Sequence, residues 1–369
     1  MKTSIQKFWH RFLPAAWRPQ INPEIVALLP DCRPAADRFE SRLSIPIVDS
    51  SLDDQGKAEA QERGMFLARQ DRWDDLADEM RAAERDRRAT PDGMPIAELM
   101  AYGARADVVH AVEHALSDNI SRDDSVLLDG IMGLERVLCE QKGDPMIALI
   151  VALAHIDIGW AWRGDGWDSM LPKLNRKRCA AHFDRAAAVL EPHCGVSLDS
   201  PALLAACCAL WAGRENAGKQ LADKYEALID LVPQNHRYMR TMGVHLLPKW
   251  RGSYEALELE ARRTASRTEQ IWGAGGYTWV CFDAIAIDDE ACARVDVPFF
   301  LDGLRDIVSR RPDQRTVNLL AAFCAVTLRD GFGDNERAEL AREQISEAAD
   351  WLIRDHLTEL HPLIWAHAA

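Results

Sequence analysis

Three times along this chain a helical, largely apolar stretch runs into a proline, crosses a short polar interval and starts again. The boundaries read AAAVLEPHCG at Pro192, EALIDLVPQNH at Pro233 and DIVSRRPDQRT at Pro312. The runs that follow are PALLAACCALWAG, YMRTMGVHLL and VNLLAAFCAVTL. Proline lacks an amide hydrogen and pushes the residue before it out of the helical region, so it ends one helix and admits the next. A chain punctuated in this way is held to helices packed on their neighbours. The fold class expected is all-α, an irregular antiparallel array of helix hairpins joined by loops of unequal length.

The hydrophobic periodicity agrees. Residues 57–90 carry one seam of Ala60, Gly64, Leu67 and Ala68 and a second of Trp73, Leu76, Ala77 and Met80, with RQDR as the turn between them. Apolar residues three and four apart share a helix face, and small ones let two helices come close. Pro95 suits the opening of a helix, and Asp144 followed by Pro145 reads as an N-cap and first helical residue. From there to Trp162 the text is almost wholly apolar, which predicts a helix buried on several sides rather than a membrane span. GYTWVCFDAIAI has strand-like content, but Val280, Ala284 and Ile287 keep helical spacing, so helix is the reading. ESRLSIPIVDS contains Pro46, which argues against an interior strand.

Residues 1–50 differ. Prolines at 14, 19, 23, 30, 34 and 46 divide them into short pieces. The reading is a proline-rich arm or cap over 1–50 followed by a helical domain over 51–369, with a subdivision near 169–200 as an option. Within residues 1–13, Ile5, Phe8, Trp9, Phe12 and Leu13 share a face that Lys2, Lys7 and Arg11 avoid. A helix folded on the main body is favoured there over partner docking or peripheral membrane contact.

The formal net charge of −14 argues against generic nucleic-acid binding, which needs a concentrated basic surface. Nine cysteines include no C-x-x-C pair, and Cys207-Cys208 lie inside the apolar run LLAACCALWA. Reduced core thiols in a cytoplasmic setting are therefore expected.

Two apolar stretches end alike, one in Trp162-Arg163-Gly164 and one in Trp250-Arg251-Gly252. Before the second, Asn235 can cap a helix running towards Leu247, Gly243 leaves room for a neighbour and Pro248 kinks or ends the helix early. After it, Ser253 can cap the next helix, with Ala256 where a capping box needs Glu or Gln. An arginine in such a place can stack on a tryptophan and bond helix-end carbonyls. Alternatively, Arg163 and Arg251 face one groove and hold an acidic peptide or anion.

Asn235, Gly243, Gly252, Tyr254, Glu255 and Ala256, and earlier Gly64, Leu67, Arg72, Trp73 and Leu76, resemble the signature of tetratricopeptide repeats. Residues 50–350 are also similar to an uncharacterised bacterial family of helical proteins with recurring Trp-Arg-Gly segments. These resemblances imply a TPR-like α-solenoid with protein binding on a concave face. They supply no catalytic residue.

Recognition of a protein or peptide along a helical groove is thus the leading expectation, with Arg163, Trp167, Arg251 and Tyr254 as contacts. The alternative is an enzyme or small-ligand receptor with a pocket between helices, using His155, Asp157 and His245. A third reading is a self-assembling structural subunit. His155 and Asp157, two residues apart, lie on different helix faces, so the ordinary reading is a satisfied core histidine and an acid paired to an arginine. Asp288, Asp289, Glu290 and Asp296 read as an acidic helix start and lack the glycine and alternation of a calcium loop. His110 and His114 share a face, but two imidazoles do not make a zinc site. WGAGGYTW lacks a phosphate-binding pattern, leaving Trp272, Tyr277 and Trp279 as core or rim aromatics. No metal and no cofactor are expected.

Overall fold

The computed structural model describes residues 45–48, 51–117, 126–164, 171–194, 199–213, 218–329 and 335–368. Among them every regular element is helical, and β-type pairing is confined to single bridges, Ile47 with Leu360 and Ala89 with Pro95. In chain order the helices are α1 (Leu52–Arg69), α2 (Trp73–Arg85), α3 (Ile96–Ser117), α4 (Val126–Glu140), α5 (Pro145–Arg163), α6 (Lys173–Leu190), α7 (Pro201–Ala212), α8 (Gly218–Leu231) and α9 (His236–His245). They continue with α10 (Tyr254–Arg267), α11 (Glu269–Trp272), α12 (Gly275–Ile287), α13 (Asp289–Arg294), α14 (Val297–Arg310), α15 (Gln314–Ala322), α16 (Glu336–Ser346), α17 (Ala348–Trp351) and α18 (Pro362–Ala368). Many pack on the next helix and also on the one beyond it: α1 on α3, α3 on α5, α10 on α12, and α12 on α14.

The helices start where the polar residues direct. Asp144 accepts hydrogen bonds from Met146 N at 2.8 Å and Ile147 N at 3.3 Å, opening α5. Asn235 accepts from Arg237 N at 3.2 Å and Ser253 from Ala256 N at 3.1 Å. Asp288 accepts from Ala291 N at 2.9 Å, so the acidic run is a helix start. One expected boundary moves. α9 ends at His245, short of Leu247, because Pro248 cannot continue it and instead opens a 3₁₀ turn over Pro248–Trp250.

Three helices, α5, α7 and α12, are apolar on nearly every side and buried accordingly. α5 is long and apolar enough to cross a membrane, yet most of it is buried among other helices. α7 joins two cores. Leu203, Ala206 and Leu210 pack into the one built from the earlier helices, while Leu204, Cys208 and Ala212 pack into the later one. The expectation of reduced thiols needs correcting for one pair: the turn Glu191–His193 places Cys194 against α7, where it is disulfide-bonded to Cys207. Cys208, Cys281, Cys292 and Cys324 are free and buried.

Two buried ion pairs fasten helices to these apolar centres. Arg105 of α3 donates from Nε to Asp157 of α5 at 2.7 Å. Arg240 of α9 holds Asp283 of α12 through both oxygens, at 2.8 and 2.6 Å. Backbone contact does the rest. A Cβ on Gly64 would lie 2.1 Å from Met100 O, one on Gly103 1.9 Å from Gln61 O, and one on Gly243 1.8 Å from Val280 O. The α1–α3 and α9–α12 crossings therefore admit nothing larger than glycine.

The first described residues meet the last. Val48 N donates to Leu360 O and Leu360 N to Pro46 O, each at 2.8 Å. Arg315, in the first turn of α15, lies 3.3 Å from Asp53, 3.8 Å from Asp54 and 3.1 Å from Asp92. Asn318 is fully buried; its Oδ1 accepts from His361 N at 3.0 Å and Trp365 Nε1 at 2.8 Å.

Gly243→Ala is expected to lower the urea midpoint by the equivalent of about 1–3 kcal/mol through overpacking. Gly133→Ala in α4, where an added Cβ meets nothing within 4 Å, should instead gain about 0.5–1 kcal/mol of helix propensity. Equal effects from the two substitutions in chemical denaturation would contradict the proposed crossing.

Candidate functional site

The segment between α2 and α3 folds back on itself. Arg87 and Gly93 adopt φ of 49° and 80°, Thr90 N donates to Met94 O at 2.8 Å, and Ile96 N donates to Arg88 O at 2.9 Å. Near its tip Asp92 reaches Arg237 at 3.4 Å and Arg315 at 3.1 Å. Burial alone would raise the Asp92 carboxyl, but neighbouring His236, Arg237 and Arg315 outweigh it and hold the group below the ordinary carboxylate value.

Against this loop stand the start of α7, the α8–α9 junction, Trp272 at the end of α11, and the start of α15. They line an open-mouthed cavity of about 320 Å³. Ala83, Pro91, Pro95, Pro201, Val232 and Trp272 supply apolar wall. Three helices begin there, since Pro201 of α7, Asn235 and His236 at α9, and Asp313 and Thr316 at α15 all line it. Helix starts carry partial positive charge.

The charged side chains of the lining divide by sign. Its acids are engaged. Glu84 accepts from Ser200 Oγ and from Ala202 N, Asp92 pairs with Arg237 and Arg315, and Asp313 accepts from Thr316 N and Thr316 Oγ1, both at 2.9 Å. Of its arginines, Arg87 pairs with Asp199 and donates to Glu84 O at 2.8 Å. The Arg88 guanidinium makes no hydrogen bond or ion pair among the described residues, and Arg311 lies over the Trp272 ring at 5.3 Å with no carboxylate partner among them. His236 is 7% exposed and tilted against Trp279 at 4.2 Å; burial pulls its imidazole down to about 3, so it is neutral at pH 7. Its Nε2 has no hydrogen-bond partner among the described residues. Uncommitted guanidinium groups, a neutral imidazole and an apolar wall suit the binding of an anion with an apolar body.

The residues singled out from sequence fall elsewhere. The two Trp-Arg-Gly segments do meet. Trp160 packs edge-on to Trp250 at 5.5 Å, and Arg163 lies over both rings, 5.7 and 5.4 Å from their centres, while donating to Gly164 O at 3.2 Å. Arg251 is exposed with φ of 68°, a left-handed turn position. The Tyr254 hydroxyl donates to Asp288 at 3.1 Å, and Arg294 covers its ring at 4.9 Å. Trp167 lies outside the described residues, as do residues 1–13. α9 separates this cluster from the cavity, with His236 at one end and His245 near Trp250 at the other.

His155, Asp157 and His245 are not brought together. His155 sits between Glu135 and His182, with 2.9 Å on each side; Asp157 pairs with Arg105; His245 contacts the Tyr225 hydroxyl at 2.8 Å. Arg185 clamps both oxygens of Glu135 at 2.7 and 2.6 Å. With Glu135 accepting from Nε2 of His155, the other ring nitrogen is left to accept from His182. Burial lowers His182 and His245 to about 4. Among the described residues no three His, Cys, Asp or Glu side chains gather as metal ligands would.

The cavity residues Arg88, Asp92, His236 and Arg311 were missed. Their only local signal is the turn text Pro91-Asp92-Gly93, and Trp272 was noted only as an aromatic. No protein-family model, curated protein or solved structure matches the chain.

Glu113, on α3 between His110 and His114, has a buried Oε1 without a hydrogen-bond partner; burial, then the Asp157 charge, raises its carboxyl from 4.5 to about 8. The unfolded chain therefore releases this proton first, and the group costs stability progressively as pH rises through that window. Glu113→Gln should gain melting temperature relative to wild type between pH 5 and pH 8. A difference that does not change with pH would contradict this.

Proposed function

We propose that this protein is a recognition module in which TPR-like helix hairpins, arranged as an irregular solenoid, bend round so that early, middle and late segments hold a ligand in the cavity they line. One observation carries the reading: segments from residues 83–95, 201, 232–238, 272 and 311–316 converge on one space of about 320 Å³. That volume is within the range of small-ligand sites, about 300–1,000 Å³, and the mixture of apolar wall and few polar groups is typical of them. Open-groove recognition would not need the two ends of the array to close on each other.

Ala89 lines the cavity from an exposed position, so Ala89→Trp can fill the space with little effect on the core. A screen of small organic compounds by thermal shift should find ligands that raise the melting temperature of wild type and not of Ala89→Trp. Ligands that stabilise both proteins equally would place binding elsewhere.

A second reading keeps a protein or peptide partner on the Trp-Arg-Gly cluster, with Arg163, Trp167, Arg251 and Tyr254 as contacts. It is supported by the meeting of Trp160, Arg163 and Trp250, which puts the two segments on one surface. Affinity capture from the native cell with wild type and Arg251→Glu tests it. Loss of a specific partner with an unchanged melting temperature is the expected result; identical capture removes Arg251 from the contact.

A further inference from the structure

Resting on the cavity reading, we propose that the ligand class is a small organic anion, a carboxylate or phosphate monoester. Its charged group would be taken by Arg88 and Arg311, and its apolar body would lie against Trp272 and Val232.

The inference follows from which charges are already used. All three acids of the lining, Glu84, Asp92 and Asp313, accept hydrogen bonds or ion pairs from the protein itself, which leaves them poor partners for a cation. Two of the three lining arginines, Arg88 and Arg311, have no carboxylate among the described residues, on a chain whose formal net charge is −14. In a protein where acids outnumber bases, 58 to 44, arginines left without an acid beside one cavity are uncommitted donors. The planar guanidinium matches carboxylate and phosphate oxygens in a two-pronged geometry.

Two further features add to this. Arg311 is stacked on Trp272 at 5.3 Å, so ring and charge are presented together to a ligand that combines an apolar body with an anionic group. The first turns of α7, α9 and α15 line the same cavity and add positive potential to it, and these helices are 12, 10 and 9 residues long. Neutral His236 supplies no charge but is a further cavity-lining polar group.

The test is calorimetric titration of the full chain with benzoate, phenyl phosphate and benzamide, with inorganic phosphate as a fourth probe. Benzoate and benzamide share a shape and differ in charge. Benzoate or phenyl phosphate should bind at least about tenfold more tightly than benzamide, and more weakly as sodium chloride is raised. Arg88→Ala and Arg311→Ala, both at exposed positions, should each weaken the anion by about tenfold while leaving the unliganded melting temperature unchanged. A preference for phenyl phosphate and inorganic phosphate over benzoate selects the phosphate source; the reverse selects the carboxylate. Equal binding of benzoate and benzamide, abolished by Ala89→Trp, would overturn the anion proposal and leave the cavity reading standing. Anion binding untouched by Ala89→Trp would overturn the anion proposal at this site. Absence of binding by every probe would overturn both.

Discussion

Arg315 joins what the chain order keeps far apart. Its guanidinium meets Asp53 and Asp54 at the start of α1 and Asp92 in the loop before α3. Asp92 in turn reaches Arg237 at the start of α9, and its backbone N donates to Asp53 Oδ1 at 2.8 Å. One cluster of charges therefore ties early, middle and late helices of the domain together. Such a cluster is half-buried, so removing one member leaves its partners desolvated without compensation. The cavity exists because these three regions are held against one another.

What the closure holds is stiff. α5, α7 and α12 are buried nearly all round, and α7 belongs to both cores, so neither half can shift without disturbing the other. The glycine crossings at α1–α3 and α9–α12 fix helix spacing at backbone contact. The pairs Arg105–Asp157 and Arg240–Asp283 fix rotation, since a buried charge must keep its partner. α9 connects the cavity to this frame, with Arg240 in the core, His236 at the cavity and His245 beside the Trp-Arg-Gly cluster.

Local chemistry was legible in the sequence, and long-range chemistry was not. Asp144-Pro145 announces the start of α5, the spacing of Val280, Ala284 and Ile287 identifies α12, and Gly64 and Gly243 mark close crossings, because each depends on residues within a turn or two. The partner of Asp157 was foreseen as an arginine, but Arg105 could not be named. Nothing in Arg315, Asp53 and Asp92 says that they meet, and the cavity draws its lining from five separated segments. The disulfide of Cys194 with Cys207 escaped for the same reason: the 3₁₀ turn that aligns them has no pattern beyond Pro192. The Trp-Arg-Gly repeat drew notice as a motif, yet its Arg163 lies over Trp250 and the neighbouring Trp160, while uncommitted arginines stand at the other end of α9.

The meeting of the first and last described segments is open to direct measurement. Ile47 and Leu363 are both exposed, and Ile47 is bridged to Leu360. Spin labels introduced at these two positions through unnatural amino acids, read by pulsed dipolar spectroscopy, should report one narrow separation under about 20 Å, since three residues of chain add at most about 11 Å. A broad distribution centred tens of ångströms further out would show that the first and last described segments do not meet, and would contradict the closure.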